Sequence, residues 1–154
     1  MIRWHRATTE DLPALVESRI RTLRAANGLD DAADMSAVEA STRTYYERAL
    51  ADGSHVACLV YDGDRIIATG GVSFYQLMPT CDAPGGLHAY IMNMYTHPDY
   101  RRRGIAMRML SLLVEEADAK GASTIALEAT AQGRPLYEKF GFVADGAEMI
   151  LPRV

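Results

Sequence analysis

Apolar and polar positions change their period several times along the chain, and each change marks an element boundary. Residues 2–7 predict a first strand. Thr8 and Asp11 then have the spacing of a capping box, opening a helix that runs to about Ala26, and Gly28 is placed to stop it. Ser36, Ala37, Val38 and Glu39 repeat the capping pattern and introduce a second helix ending near Leu50, before Asp52 and Gly53. Between these helices, residues 29–35 are acidic and Ala-rich. They read as a solvated connection, with a mobile lip over a substrate cleft as the alternative.

Two apolar runs follow, residues 56–61 and 66–75, and Asp62-Gly63 between them is a strong hairpin signal. Residues 77–86 hold Pro79, Pro84, Gly85 and Gly86, which makes them a loop leading into a strand at 88–95. Beyond an arginine-rich turn, Ala106, Leu110, Leu113 and Ala117 form one helical stripe, with Met109 and Leu112 beside it, and Gly121 ends that helix. Residues 124–129 predict a buried strand, 134–139 a short helix and 142–151 a final strand. The expected order is therefore β-α-α-β-β-β-α-β-α-β, a mixed α/β domain around one central sheet. No internal repeat or linker divides it, so residues 1–154 are expected to be one domain.

At 154 residues the chain is long enough to bury a substantial core, and 49% hydrophobic with 23% charged residues is ordinary for a soluble globular protein. No apolar run reaches membrane-spanning length, and the first residues lead into no signal-like segment, so a cytoplasmic location without membrane contact is the expectation. A net charge of -4 argues against general nucleic-acid binding, which needs a broad excess of cations. Cys58 and Cys81 are too few for a disulfide framework or a four-ligand zinc site. Cys58 reads as a core residue and Cys81 as an accessible one.

The densest chemistry lies in Tyr95-Thr96-His97-Pro98-Asp99-Tyr100-Arg101-Arg102-Arg103-Gly104-Ile105-Ala106, where a strand gives way to a turn and then to a helix. The first N–H groups of a helix have no internal partner and carry partial positive charge, so this place can hold a pyrophosphate. Gly104 lets a ligand approach the backbone, and Ala106 keeps the first turn clear. Arg101, Arg102 and Arg103 read either as a solvated surface run or as phosphate donors. Cations at a helix N-terminus oppose the dipole unless an anion offsets them.

Arg101-x-x-Gly104-x-Ala106 matches the [RQ]-x-x-G-x-[GA] acyl-CoA loop of the GNAT N-acetyltransferase superfamily, and Leu136-Tyr137-Glu138-Lys139-Phe140-Gly141-Phe142 resembles its later Y-E-x-x-G-F signature. In this order, with one helix and one strand between them, the two segments carry a resemblance that extends over nearly the whole chain. It implies a mostly antiparallel central sheet flanked by helices and acetyl-CoA as acyl donor, with no metal. It also implies a reaction in which a primary amine attacks the thioester directly.

By that resemblance, backbone groups of Met94, Tyr95 and Thr96 would pair with the pantetheine arm, and those from Arg101 through Ile105 to Ala106 would hold the pyrophosphate. Tyr137 corresponds to the tyrosine that protonates the departing thiolate. Thr130 stands where many members have a CoA-contacting asparagine, and Arg134 adds a charge nearby. The base is open. His88, Tyr90, Met92 and Met94 are expected on one strand face by the period-two rule, which makes His88 and Tyr90 candidates; Tyr90 stands where some members carry a glutamate. Glu128 and a water relay are the others. Asn93, expected on the opposite face, suits a structural hydrogen bond.

A small-molecule amine is the favoured acceptor. Protein or peptide acetylation, and a non-catalytic acyl-CoA sensor, are the competing readings, and homodimers are common among similar proteins.

Overall fold

The computed structural model describes residues 1–153. A five-stranded sheet runs in the order β1 (Ile2–Arg6), β2 (His55–Asp62), β3 (Arg65–Gln76), β4 (Leu87–Thr96), β5 (Thr124–Ala126). The first three pairings are antiparallel and β4–β5 is parallel. Helices α1 (Leu12–Asn27) and α2 (Ser36–Asp52) connect β1 to β2, α3 (Ile105–Lys120) connects β4 to β5, and α4 (Arg134–Phe140) follows β5. Among the described residues no helix is long and apolar enough to cross a membrane.

The Thr8–Asp11 capping box forms as expected, through a 3-10 turn at Thr9–Asp11 that runs into α1. Gly28 and Gly53 then end α1 and α2 in left-handed conformations. The second expected box does not form. Met35 occupies the cap position, and the Asp34 carboxylate, rather than the Ser36 hydroxyl, accepts the Ser36 N–H at 2.9 Å.

The expected order holds through α4, but the final strand expected at 142–151 is absent and β5 stops at Ala126. A strand needs an edge to pair with. Beyond Ala126 the parallel edge has ended, and Met149, Ile150 and Leu151 are 93%, 78% and 73% exposed.

The two sheet faces differ in chemistry. On one, Val56, Val60, Val72, Phe74, Ala89 and Ile91 close against Ile105, Met109, Leu110, Leu113 and Ala117 of α3. Ile105 begins the buried helical stripe in place of the expected Ala106, which is half-buried. Gly70 lies under this helix, and a Cβ there would sit 2.6 Å from Met109 Cγ and 2.7 Å from its sulfur. The missing side chain lets α3 settle into the sheet at that point.

The opposite face begins as an apolar layer, with Ala57 and Leu59 against Leu15, Val16 and Tyr46 of α1 and α2, and becomes polar toward β4. His55 is 5% exposed. Its Nδ1 lies 2.9 Å from the Tyr45 hydroxyl and 3.0 Å from Ser73 Oγ, which are themselves 2.8 Å apart. Nε2 has no hydrogen-bond partner and rests over Gly71, where a Cβ would meet it at 2.6 Å. Burial, assisted by the nearby Arg19 charge, holds the imidazole pKa down to about 4, so the ring is neutral at pH 7.

Two measurements check this packing. Gly70→Ala is expected to lower unfolding free energy by about 1–3 kcal/mol, because overpacking against Met109 exceeds the gain from stiffening the unfolded chain, and urea denaturation reads the difference. Unfolded His55 takes up a proton near pH 6.5, whereas the folded ring resists until about pH 4, so its contribution is full above pH 6.5 and is lost as pH falls toward 4. The wild type is expected to lose about 3 kcal/mol more over that window than His55→Gln, measured by denaturant titration at each pH.

Candidate active site

The parallel pairing of β4 and β5 covers only His88↔Thr124, Ala89↔Ile125 and Tyr90↔Ala126. Beyond Tyr90, β4 continues to Thr96 with β3 on one side and no strand on the other, so its outer edge from Ile91 to Thr96 lies open. Unpaired strand edges present a row of donors and acceptors to whatever lies alongside.

Within that open stretch the backbone is irregular. Asn93 has φ 59, and the pairing shifts so that Asn93 and Met94 together lie opposite Gly70. This bulge resets the alternation of side chains. Leu87, Ala89, Ile91 and Met94 belong to the α3 face, so Met94 does not share a face with His88, Tyr90 and Met92 as the period-two rule predicts. Asn93, expected opposite Met92, turns toward α1, where its Oδ1 accepts from Arg19 Nη1 at 3.3 Å. Thr69 Oγ1 donates to the Asn93 carbonyl at 2.9 Å, pinning the bulge from β3.

At the end of β4 the chain makes a 3-10 turn, Pro98–Tyr100, anchored by the Tyr100 hydroxyl donating to Asp62 at 2.6 Å. Arg102 (φ 61) and Gly104 (φ 80) are both left-handed, a backbone shape that gathers successive N–H groups into a concavity. Among the described residues, the amides of Arg102, Arg103, Gly104, Ile105, Ala106 and Met107 donate to no protein group. A Cβ at Gly104 would meet nothing within 4 Å, so the space before these amides is open. The three arginines divide their work. Arg101 Nε donates to the Thr96 carbonyl at 3.0 Å, Arg103 lies over the Tyr100 ring at 5.1 Å, and Arg102 is exposed.

Tyr137 is half-buried on α4, edge-on to Phe142 at 6.2 Å between ring centres. Burial raises its phenol pKa, so it carries its proton at neutral pH, and its hydroxyl has no hydrogen-bond partner among the described residues. Thr130 Oγ1 accepts the Gly133 N–H at 3.1 Å, while Arg134 pairs with Glu138 at 2.8 Å on an exposed face.

The base candidates gather on the polar sheet face. Register pairs Ser73 with Tyr90 and Tyr75 with His88, which therefore point the same way. His88 stacks on Tyr75 at 5.4 Å and bonds Thr124 through Nδ1, leaving a buried Nε2 without a partner. Burial comes first among the causes that raise the Tyr90 pKa, followed by the negative charges of Glu128 and Glu148. Glu128 itself is exposed. Sequence reasoning missed Arg19, Tyr45, His55 and Ser73. Gly70-Gly71 inside a strand was the available signal, since paired glycines there mark close approach from both faces.

Comparisons with known proteins agree with this geometry. A crystal structure of a predicted acetyltransferase with acetyl-CoA from Clostridium acetobutylicum superimposes with a TM-score of 0.89 and 33% identity, over 99% of this chain and 96% of that one. A GCN5-related N-acetyltransferase from Ralstonia eutropha JMP134 superimposes with a TM-score of 0.85 and 27% identity, over 99% of each chain. The uncharacterized N-acetyltransferase YsnE of Bacillus subtilis is 35% identical over 60 residues, a match that spans 36% of this chain and 40% of that protein's length. The model of the acetyltransferase (GNAT) family matches residues 21–142, and the chain belongs to that family.

Proposed function

We propose that this protein transfers an acetyl group from acetyl-CoA to the primary amine of a small molecule by direct attack, without an acyl-enzyme. The observation that carries the reading is the adjacency of two unfilled donor sets: the open β4 edge over Ile91–Thr96 and, one short turn later, the free amides of Arg102 to Met107. An extended pantetheine arm suits the first and a pyrophosphate the second. The likeness to a structure holding acetyl-CoA supports the choice of donor.

Acetyl-CoA as substrate supplies an electrophilic thioester carbon. Backbone groups of Met94, Tyr95 and Thr96 orient that carbonyl, and an N–H aimed at the developing oxyanion lowers the barrier by about 3 kcal/mol. The amine nitrogen forms the new C–N bond, the C–S bond breaks, and Tyr137 gives its proton to the departing sulfur. The ammonium proton leaves to the Glu128 carboxylate, directly or relayed through the Tyr90 hydroxyl, which passes its own proton on, or through water to His88. A desolvated phenol is a competent acid for a desolvated thiolate, which is why the burial of Tyr137 matters.

Gly104→Glu puts a carboxylate into the phosphate seat at a left-handed position. It is expected to weaken acetyl-CoA binding at least ~100-fold by calorimetry while the far-UV dichroism spectrum stays that of the wild type. Tyr137→Phe is expected to keep donor affinity and to lower kcat about 100-fold in a thiol-release assay. Unchanged turnover across pH would remove Tyr137 from its role.

A further inference from the structure

Arg19 is a half-buried cation with unspent donors. A guanidinium presents five N–H groups, and among the described residues Arg19 makes one side-chain hydrogen bond, to the Asn93 amide oxygen, and no ion pair. Removing a cation from water without an anion beside it is costly, and the Asn93 amide answers only part of that cost.

Its position is equally specific. Asn93 is the left-handed residue in the open stretch of β4, so the guanidinium stands beside the backbone that would orient the thioester. A cleft of about 430 Å³ opens against α2 and is lined by Ala40, Ser41, Thr44, Tyr45 and Arg48, with no carboxylate among them. Tyr45 connects it to Ser73, which sits opposite Tyr90. Carboxylates bear on both ends of this face, Asp52 on Tyr45 and Glu128 and Glu148 on Tyr90. Arg19 is the cation bonded to the open stretch of β4.

We propose that Arg19 binds the acceptor, and that the acceptor is an amine that also carries an anionic group, carboxylate or phosphate, which the guanidinium holds while the amine faces Tyr90 and Glu128. A planar fork of donors matches both anions. This inference rests on the amine-transfer reading above and adds the acceptor class to it.

The test uses matched pairs with labelled acetyl-CoA: α-amino acids against their decarboxylated amines, and an amino-sugar phosphate against the free amino sugar. The wild type is expected to favour the anionic member of one pair type, which identifies the anion as carboxylate or phosphate. Arg19→Met is expected to lower kcat/KM for that member on the order of 30-fold more than for its neutral partner, mainly through KM. Arg19→Lys should restore part of the preference, and it guards against a folding defect. Asn93→Gly keeps the left-handed backbone while removing the amide. If Arg19→Met and Asn93→Gly lower both members of every pair equally, Arg19 only clamps the bulge and the proposal is wrong. It is equally wrong if the wild type shows no preference. Should no amine be acetylated, the transfer reading fails, and calorimetry of the anionic amines with CoA-saturated protein still decides Arg19. Binding that weakens in Arg19→Met upholds its role; absent or unchanged binding overturns it.

Discussion

The left-handed backbone at Asn93 governs how the rest of the site is arranged. A β-strand that kept its alternation would send Met92 and Met94 to the same face. The bulge prevents this by giving β4 one more residue than β3 across Gly70, and it lies in the stretch where β4 has parted from β5. Asparagine tolerates that conformation better than most side chains, and here it is secured twice, through its carbonyl by Thr69 and through its amide by Arg19. Strain held by contacts from two elements is a common way to fix a functional backbone.

The sheet separates support from chemistry. One face is closed by α3 with well-packed aliphatic side chains and fixes the helix whose N-terminal amides remain free. The other face is lined by Tyr45, His55, Ser73, Tyr90 and His88, residues that exchange hydrogen bonds or lie in register. His55 stays neutral and adds no charge of its own near neutral pH. The charges that bear on the region come from Arg19 on α1, from Arg48 and Asp52 on α2, and from Glu128 and Glu148 around Tyr90.

Most of the fold was legible in the sequence because its elements are long and strongly patterned, and Gly28, Gly53 and Gly121 mark helix ends without ambiguity. The 142–151 segment misled because its apolar content satisfies a strand's pattern, whereas a strand also requires a neighbour that sequence does not display. The proposed donor half of the site is local, since one turn and one helix start build it, and for that reason its residues stand together in the sequence. The proposed acceptor half draws Arg19 from α1, Tyr45 from α2, His55 from β2 and Ser73 from β3, residues far apart in the chain that only tertiary packing unites. Asn93 stood in plain view, yet its positive φ, and with it the change of face at Met94, could not be read from period-two alternation.

The notch at Gly70 carries a consequence for redox chemistry. Met109 is 1% exposed, with its thioether pressed to the sheet backbone, whereas Met78 and Met149 are 86% and 93% exposed. Peroxide therefore meets the surface thioethers first, and sulfoxide can form at Met109 only when α3 lifts from the strands beneath it. Under mild oxidation, the delay between the surface methionines and Met109 becomes a clock for how often the helix with the free N-terminal amides comes away from its support.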